Sequence, residues 1–167
     1  VRSKTLFRWK TLSLVALLLS TTFVGAAETK PLPDFEVKTV EGRAVKSSAF
    51  TSEERWLLVY IEPGCQPCET ILRVFQRETE AGDQSKRVVV VVGGRQPDEV
   101  RAMAAGFPWL PPGCWYADPA RHASLALKAK GAPVVYGIRK GNIEWTLAGA
   151  LSGQKNLKSI LLTWREG

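Results

Sequence analysis

Two uninterrupted apolar runs, Trp56-Leu57-Leu58-Val59-Tyr60-Ile61 and Val88 to Val92, constrain the architecture of this chain more than any other feature. Both have the length of a strand and are rich in β-branched, aromatic or aliphatic side chains. A strand with one wet face alternates apolar and polar residues. These do not alternate, so both of their faces must be covered, as in a parallel sheet sandwiched by helices. The neighbouring segments have the pattern for such helices. Glu69 to Glu80 carries Ile71, Leu72, Phe75 and Thr79 along one stripe. Gly93-Gly94 ends the second run, after which Pro97, Asp98 and Glu99 form a helical first turn continued by Val100, Met103 and Ala104.

The remaining segments extend this pattern. Residues 28–34 contain two prolines in three positions and predict an extended entry. Phe35 to Val40 alternates with period two, Glu41-Gly42-Arg43 turns, and Ala44-Val45-Lys46 returns, which predicts an N-terminal β-hairpin laid against the larger sheet. Thr51 to Arg55 reads as a short helical connector, and Phe107 to Gly113 as an aromatic, proline-rich loop leading into a short strand, Cys114 to Ala117. Asp118-Pro119 offers an N-cap with proline at the first helical position, ahead of His122, Leu125, Ala126 and Ala129. Val134 to Ile138, the turn Lys140-Gly141-Asn142 and Ile143 to Leu147 make a second hairpin, and Ser152 caps a last helix with Leu157, Ile160, Leu161 and Trp164 on its apolar face. The fold class is therefore α/β, a central mixed sheet flanked by helices.

Cys65-Gln66-Pro67-Cys68 sits between the first apolar run and the helix that follows it. Two thiols so spaced can close a small disulfide ring, and a helix N-terminus stabilises an attacking thiolate. The same spacing also suits a passive structural pair or a metal. For Cu(I), Cys65 and Cys68 need a third soft ligand, for which His122, Met103 and Cys114 are the candidates. Structural zinc needs four ligands, and there is no second pair. Cys114 is either a small core hydrophobe or a third participant in exchange.

The first 26 residues read as an export signal rather than as fold. Arg2, Lys4, Arg8 and Lys10 precede an apolar stretch from Leu12 to Val24, and Gly25-Ala26-Ala27 supplies small residues at a cleavage position. A short uncleaved anchor is the rival reading. Residues 27–167 then form one domain, and the formal charge of +7 falls to about +3 once the four leader cations are set aside. The remaining charges are interspersed, without a basic block beside exposed aromatics, which argues against nucleic acid as a partner. In an exported protein the Cys65/Cys68 pair would close unless a partner reduces it.

Taken in order, Trp56 to Ile61 running into the CxxC, Tyr116-Ala-Asp-Pro119, Gly131-Ala-Pro133, Arg139 to Ile143 and Leu147-Ala-Gly149 resemble the thioredoxin superfamily, and within it the exported TlpA/ResA-like thiol-disulfide oxidoreductases. The resemblance covers the chain from about Leu32 onward. It implies a thioredoxin-like fold in which Cys65 is the exposed nucleophile and Cys68 the resolving thiol. It also implies that Pro133 is cis and faces the disulfide, with Ala132, Gln66 and Pro67 meeting an extended disulfide or dithiol segment of an exported protein. The redox disulfide then serves in place of a separate cofactor, the protein works as a monomer, and a reductant of this kind draws electrons from a membrane thiol donor.

The departures from the family are informative. Relatives carry Trp before the first cysteine, where this chain has Gly64, so the apolar platform is either missing or supplied by another residue, Trp109 and Trp115 being the candidates. The buried acid that thioredoxin places six residues before that cysteine is Val59 here, so a proton relay must come from elsewhere, with Glu62 the nearest acidic candidate and a solvent-exposed, structurally idle Glu62 the other reading. Gln66-Pro67 lacks the His of strongly oxidising relatives, which favours a reductant. Lys128, Lys130 and Arg139 approach the cis-proline end in sequence. A peroxidase would want Thr or Ser where Glu62 stands, and a non-catalytic binding module with an inert disulfide is the remaining alternative.

Overall fold

The computed structural model describes residues 29–79, 87–149 and 164. The predicted export signal and all but Trp164 of the last predicted helix lie outside those residues. Trp164 itself is helical and packs edge-on against Trp145, with 5.4 Å between ring centroids.

Eight strands form one sheet in the order β1-β8-β7-β4-β5-β6-β2-β3. They are β1 (Lys30–Pro31), β2 (Glu36–Thr39), β3 (Ala44–Lys46), β4 (Arg55–Ile61), β5 (Val88–Gly93), β6 (Trp115–Asp118), β7 (Val134–Arg139) and β8 (Asn142–Ala148). The helices are α1 (Gln66–Thr79), α2 (Pro97–Ala104) and α3 (His122–Leu127). Among the described residues no helix is long and apolar enough to cross a membrane.

The two apolar runs are the paired central strands. β4 and β5 are parallel, with Leu57 opposite Val88 and Ile61 opposite Val92, and β6 continues the parallel set beside β5. Antiparallel β7 covers the other side of β4, with Tyr60 opposite Val134. Because side chains alternate along a strand, each run feeds two cores. Leu57, Val59, Ile61, Val88, Val90 and Val92 pack with Ile71, Leu72, Val74 and Phe75 of α1 and Val100 and Ala104 of α2. Trp56, Leu58, Tyr60, Val89 and Val91 pack on the opposite face with Ala123 and Leu127 of α3.

The N-terminal hairpin forms as predicted, with Val37 opposite Val45, and joins the sheet through an antiparallel contact of β2 with β6. The entry segment adds its own short strand, Lys30 pairing with Ile143 of β8. Glu99 accepts a bond from the Gln96 amide at 2.9 Å, which closes the start of α2 as its sequence predicts.

Three local expectations are corrected. Thr51 to Arg55 is not helical: a turn of 3-10 helix falls earlier, at Ser47–Ala49, and Arg55 already pairs in register with Arg139. Cys114 ends a 3-10 turn, Pro112–Cys114, and β6 begins one residue later. Pro119 is not the first residue of α3. Asp118 ends β6 instead and caps α3 from a distance, its carboxylate accepting from the amides of His122 (2.8 Å), Ala123 (3.0 Å) and Ser124 (3.4 Å).

Candidate active site at the β4–α1 junction

Parallel β4, β5 and β6 all end at one edge of the sheet, and antiparallel β7 begins there. That edge therefore gathers residues 62–65 after β4, the loop after β5, residues 119–121 after β6, and Pro133 before β7. It is where α/β sheets place their ligands, outside the carboxyl ends of the strands.

The β4–α1 loop turns through Gly64, whose φ of +71° suits glycine and disfavours any side chain. A Cβ there would meet nothing within 4 Å, so backbone conformation rather than crowding excludes the family's tryptophan. Cys65 caps α1. The Cys68 amide donates to the Cys65 carbonyl (3.0 Å) and lies 3.2 Å from its Sγ. Cys65 and Cys68 form a disulfide with Cα atoms 5.2 Å apart. Cys68 is 2 % exposed, whereas Cys65 is only half-buried. A partner sulfur can thus reach Cys65 and not Cys68.

An open cleft of about 330 Å³ lies against the pair, lined by Ile61, Glu62, Leu72, Met103 and Phe107 together with Gly64, Glu69 and both cysteines. The apolar wall beside the disulfide therefore comes from Ile61 of β4, Leu72 of α1, Met103 of α2 and Phe107 three residues beyond α2, not from the predicted tryptophans. Trp115 is fully buried, 5.8 Å from the Phe107 ring, and Trp109 is half-buried outside the cleft lining. Met103 carried a helical-face signal and Phe107 a loop signal. Only the packing of α2 on the sheet reveals that they meet the cysteines.

Glu62 lines the cleft and is ion-paired through Oε1 with Nη1 of Arg121 on the β6–α3 connection, 59 residues away. Sequence reasoning missed Arg121, since nothing local marks it. The Ala132–Pro133 peptide is cis, and Pro133 is buried at the same sheet edge. Gln66 is exposed and Pro67 half-buried in the first turn of α1.

Other candidates lie elsewhere. Arg139 pairs in register with Arg55, at the sheet edge opposite the disulfide, and bonds Glu144 at 3.1 Å, so it contributes no charge to the cysteines. Lys128 is the exposed C-cap of α3. His122, also exposed, begins α3, and neither it nor Cys114 lines the cleft. Cys114 takes no part in the disulfide, and burial pushes its thiol up from its ordinary value, which suits packing better than exchange. Among the described residues no three His, Cys, Asp or Glu side chains converge as a metal site.

Similarity to known proteins agrees with this geometry. The AhpC/TSA family profile matches residues 29–111, while no curated protein sequence matches the chain. Among solved structures, a protein assigned as the thiol:disulfide interchange protein DsbE of Chlorobium tepidum superposes with a TM-score of 0.61 at 21% identity, covering 81% of this chain and 96% of its own. The exposed lipoprotein thioredoxin Etrx1 of Streptococcus pneumoniae gives 0.58 at 21% identity, with 80% and 99% covered. A secreted Mycobacterium tuberculosis disulfide oxidoreductase homologous to E. coli DsbE gives 0.61 at 11% identity, with 77% and 95% covered. At these identities the likeness is one of fold. What is shared is a mixed sheet sandwiched by helices, which here carries a CxxC disulfide opening a helix after a buried parallel strand. The chain has the thioredoxin-like fold of these structures, and its residues 29–111 are similar to the AhpC/TSA family.

Proposed function

We propose that this protein exchanges thiols and disulfides on exported proteins, as one extracytoplasmic domain following the leader. The observation that carries this reading is the asymmetric pair, a half-buried Cys65 capping α1 and a buried Cys68 behind it, at the wall of an open cleft. With the pair reduced, the Cys65 thiolate attacks a substrate disulfide, forming a mixed disulfide and expelling one substrate thiolate. Cys68 gives its proton to Glu62 and attacks Cys65 Sγ. The second substrate thiolate leaves and takes the proton from Glu62, so the protein ends as the disulfide and the substrate as the dithiol. Ala132 and Pro133 on one side, and Gln66 and Pro67 on the other, flank the substrate segment.

The reductant direction is supported by charge. Gln66 and Pro67 place no cation between the cysteines, and the cleft presents the Glu69 carboxylate, while the charge of Glu62 is offset by Arg121. Negative charge disfavours the thiolate, withholding the stabilisation of the reduced form that makes strong oxidants. Cys68→Ser tests the reading: it should trap a mixed disulfide through Cys65 with a cysteine-containing unfolded substrate, whereas Cys65→Ser should trap none. Equal trapping by both variants would contradict the assigned roles.

One observation favours a second reading, Cu(I) handling by the reduced pair. Met103, the sole methionine of the chain, lines the same cleft as the two cysteines. Cu(I) titration of the reduced chain against a Cys65→Ser/Cys68→Ser control decides it, and affinity no higher than that control removes it.

A further inference from the structure

Arg121 joins three loops at the active edge. It follows β6, and its guanidinium reaches the Glu62 carboxylate that follows β4. β5 lies between those strands, so the two side chains together bridge two inter-strand spacings, roughly 10 Å. It passes over Gly94 in the loop after β5, where a Cβ would stand 3.1 Å from Arg121 Nη2. The Gly94 amide donates to the Asp118 carbonyl at 2.9 Å, fixing that loop against the end of β6.

The backbone under Arg121 is itself held. Its φ of +58° is left-handed, a conformation disfavoured for a residue other than glycine. The Arg121 amide donates to the Asp118 carbonyl at 3.1 Å, and the Asp118 side chain holds the three amides that follow. Asp118 is 1 % exposed and anchors this turn from inside the protein. The direction of the Arg121 side chain is therefore set by a buried anchor, although the ion pair is partly exposed. An ion pair of that exposure adds little to stability, so the value of so constrained a geometry lies elsewhere.

We infer that Arg121 is a positioning residue for exchange, holding the Glu62 carboxylate beside the Cys65–Cys68 pair so that it receives the proton of the resolving thiol. The inference rests on the exchange reading and on Glu62 as proton acceptor. The charged and titratable groups around Glu62 are Arg121, Tyr60 on β4, Asp118 on β6, and Glu69, Cys65 and Cys68 on and before α1. Arg121 is the one cation among them. The other side chains cannot hold a carboxylate by charge.

The test uses the full reduced chain and one equivalent of 5,5′-dithiobis(2-nitrobenzoate). The first thionitrobenzoate release reports attack by Cys65, and the second reports attack by Cys68 on the mixed disulfide. Glu62→Gln and Arg121→Ala should each slow the second release about tenfold and flatten its pH dependence, leaving the first phase resolved. The double variant should be no slower than either single one, and Arg121→Lys should recover to within about threefold of the parent. Arg121→Gln, which keeps most of the stem, guards against an alanine variant that fails to fold. A second phase unchanged in Arg121→Gln or in Glu62→Gln, or one slowed additively in the double variant, overturns the inference. A parent chain that releases no second equivalent would instead overturn the exchange reading itself.

Discussion

The two faces of the central sheet are built from the same strands yet differ in chemistry. Toward α1 and α2, the buried set is aliphatic and aromatic, with sulfur from Cys68 at its edge. Toward α3, the buried set includes the hydroxyl-bearing Tyr60, Tyr116 and Tyr136, and buried Asp118 caps the helix there. Burial raises all three tyrosines and, despite three amide donors, Asp118. The difference teaches where each kind of sensitivity resides. The proposed redox chemistry belongs to the α1 face and the loop edge above it, whereas the buried tyrosines and Asp118 make the α3 face the main seat of pH-dependent stability, with Cys114 the one shifted group on the α1 side among the described residues.

Four substitutions sharpen or break that division. Cys65→Ser should reduce thiol exchange to background while leaving the alkaline unfolding profile unchanged. A parallel loss of alkaline stability would show that the faces are not separable. Gly93→Ala should cost about 3 kcal/mol or more in denaturant unfolding, because its Cβ would stand 1.9 Å from Oη of fully buried Tyr60. Tyr136→Phe addresses pH. Burial pushes Tyr136 up to about 12 from an ordinary value near 10. Between those values the unfolded chain loses this proton while the folded chain keeps it, so the stability it contributes is present below about pH 10 and lost as pH rises through about 12. Melting temperatures across that range should fall less steeply in the variant, by the equivalent of about 2–3 kcal/mol, with exchange unaffected. Gly137→Ala should cost less than Gly93→Ala, about 1–2 kcal/mol, because its clash at 2.1 Å is with Trp145, which is only half-buried and able to shift. Equal costs at the two glycines would mean that the faces are equally rigid.

Much of this was legible in sequence wherever a feature is decided locally or by a long pattern. The unbroken apolar runs required cover on both faces, and β4 and β5 have it. The position of the CxxC between strand and helix, and Pro97 and Glu99 at the start of α2, also follow from neighbours in the chain. What escaped depends on distant partners. Thr51 to Arg55 is polar enough for a helical connector, but pairing with β7 draws Arg55 into a strand. Asp118 followed by proline has the form of an immediate cap, yet the turn through Arg121 delays α3 until His122. Met103 and Phe107 reach the cysteines because α2 and α1 cover the same face of the sheet, and Arg121 reaches Glu62 across the end of β5. No local periodicity encodes either approach.

The central claim is that Cys65–Cys68 is a working redox couple rather than a structural staple. Equilibrating the full chain against dithiothreitol and glutathione buffers, with the cysteines mapped by alkylation and mass spectrometry, tests it most directly. The expected result is a reversible two-electron transition of Cys65–Cys68 near about −200 mV or lower, with Cys114 remaining a thiol throughout. A disulfide that stays closed in excess dithiothreitol while the chain is folded would contradict the claim, and a midpoint near about −120 mV would reverse the proposed direction.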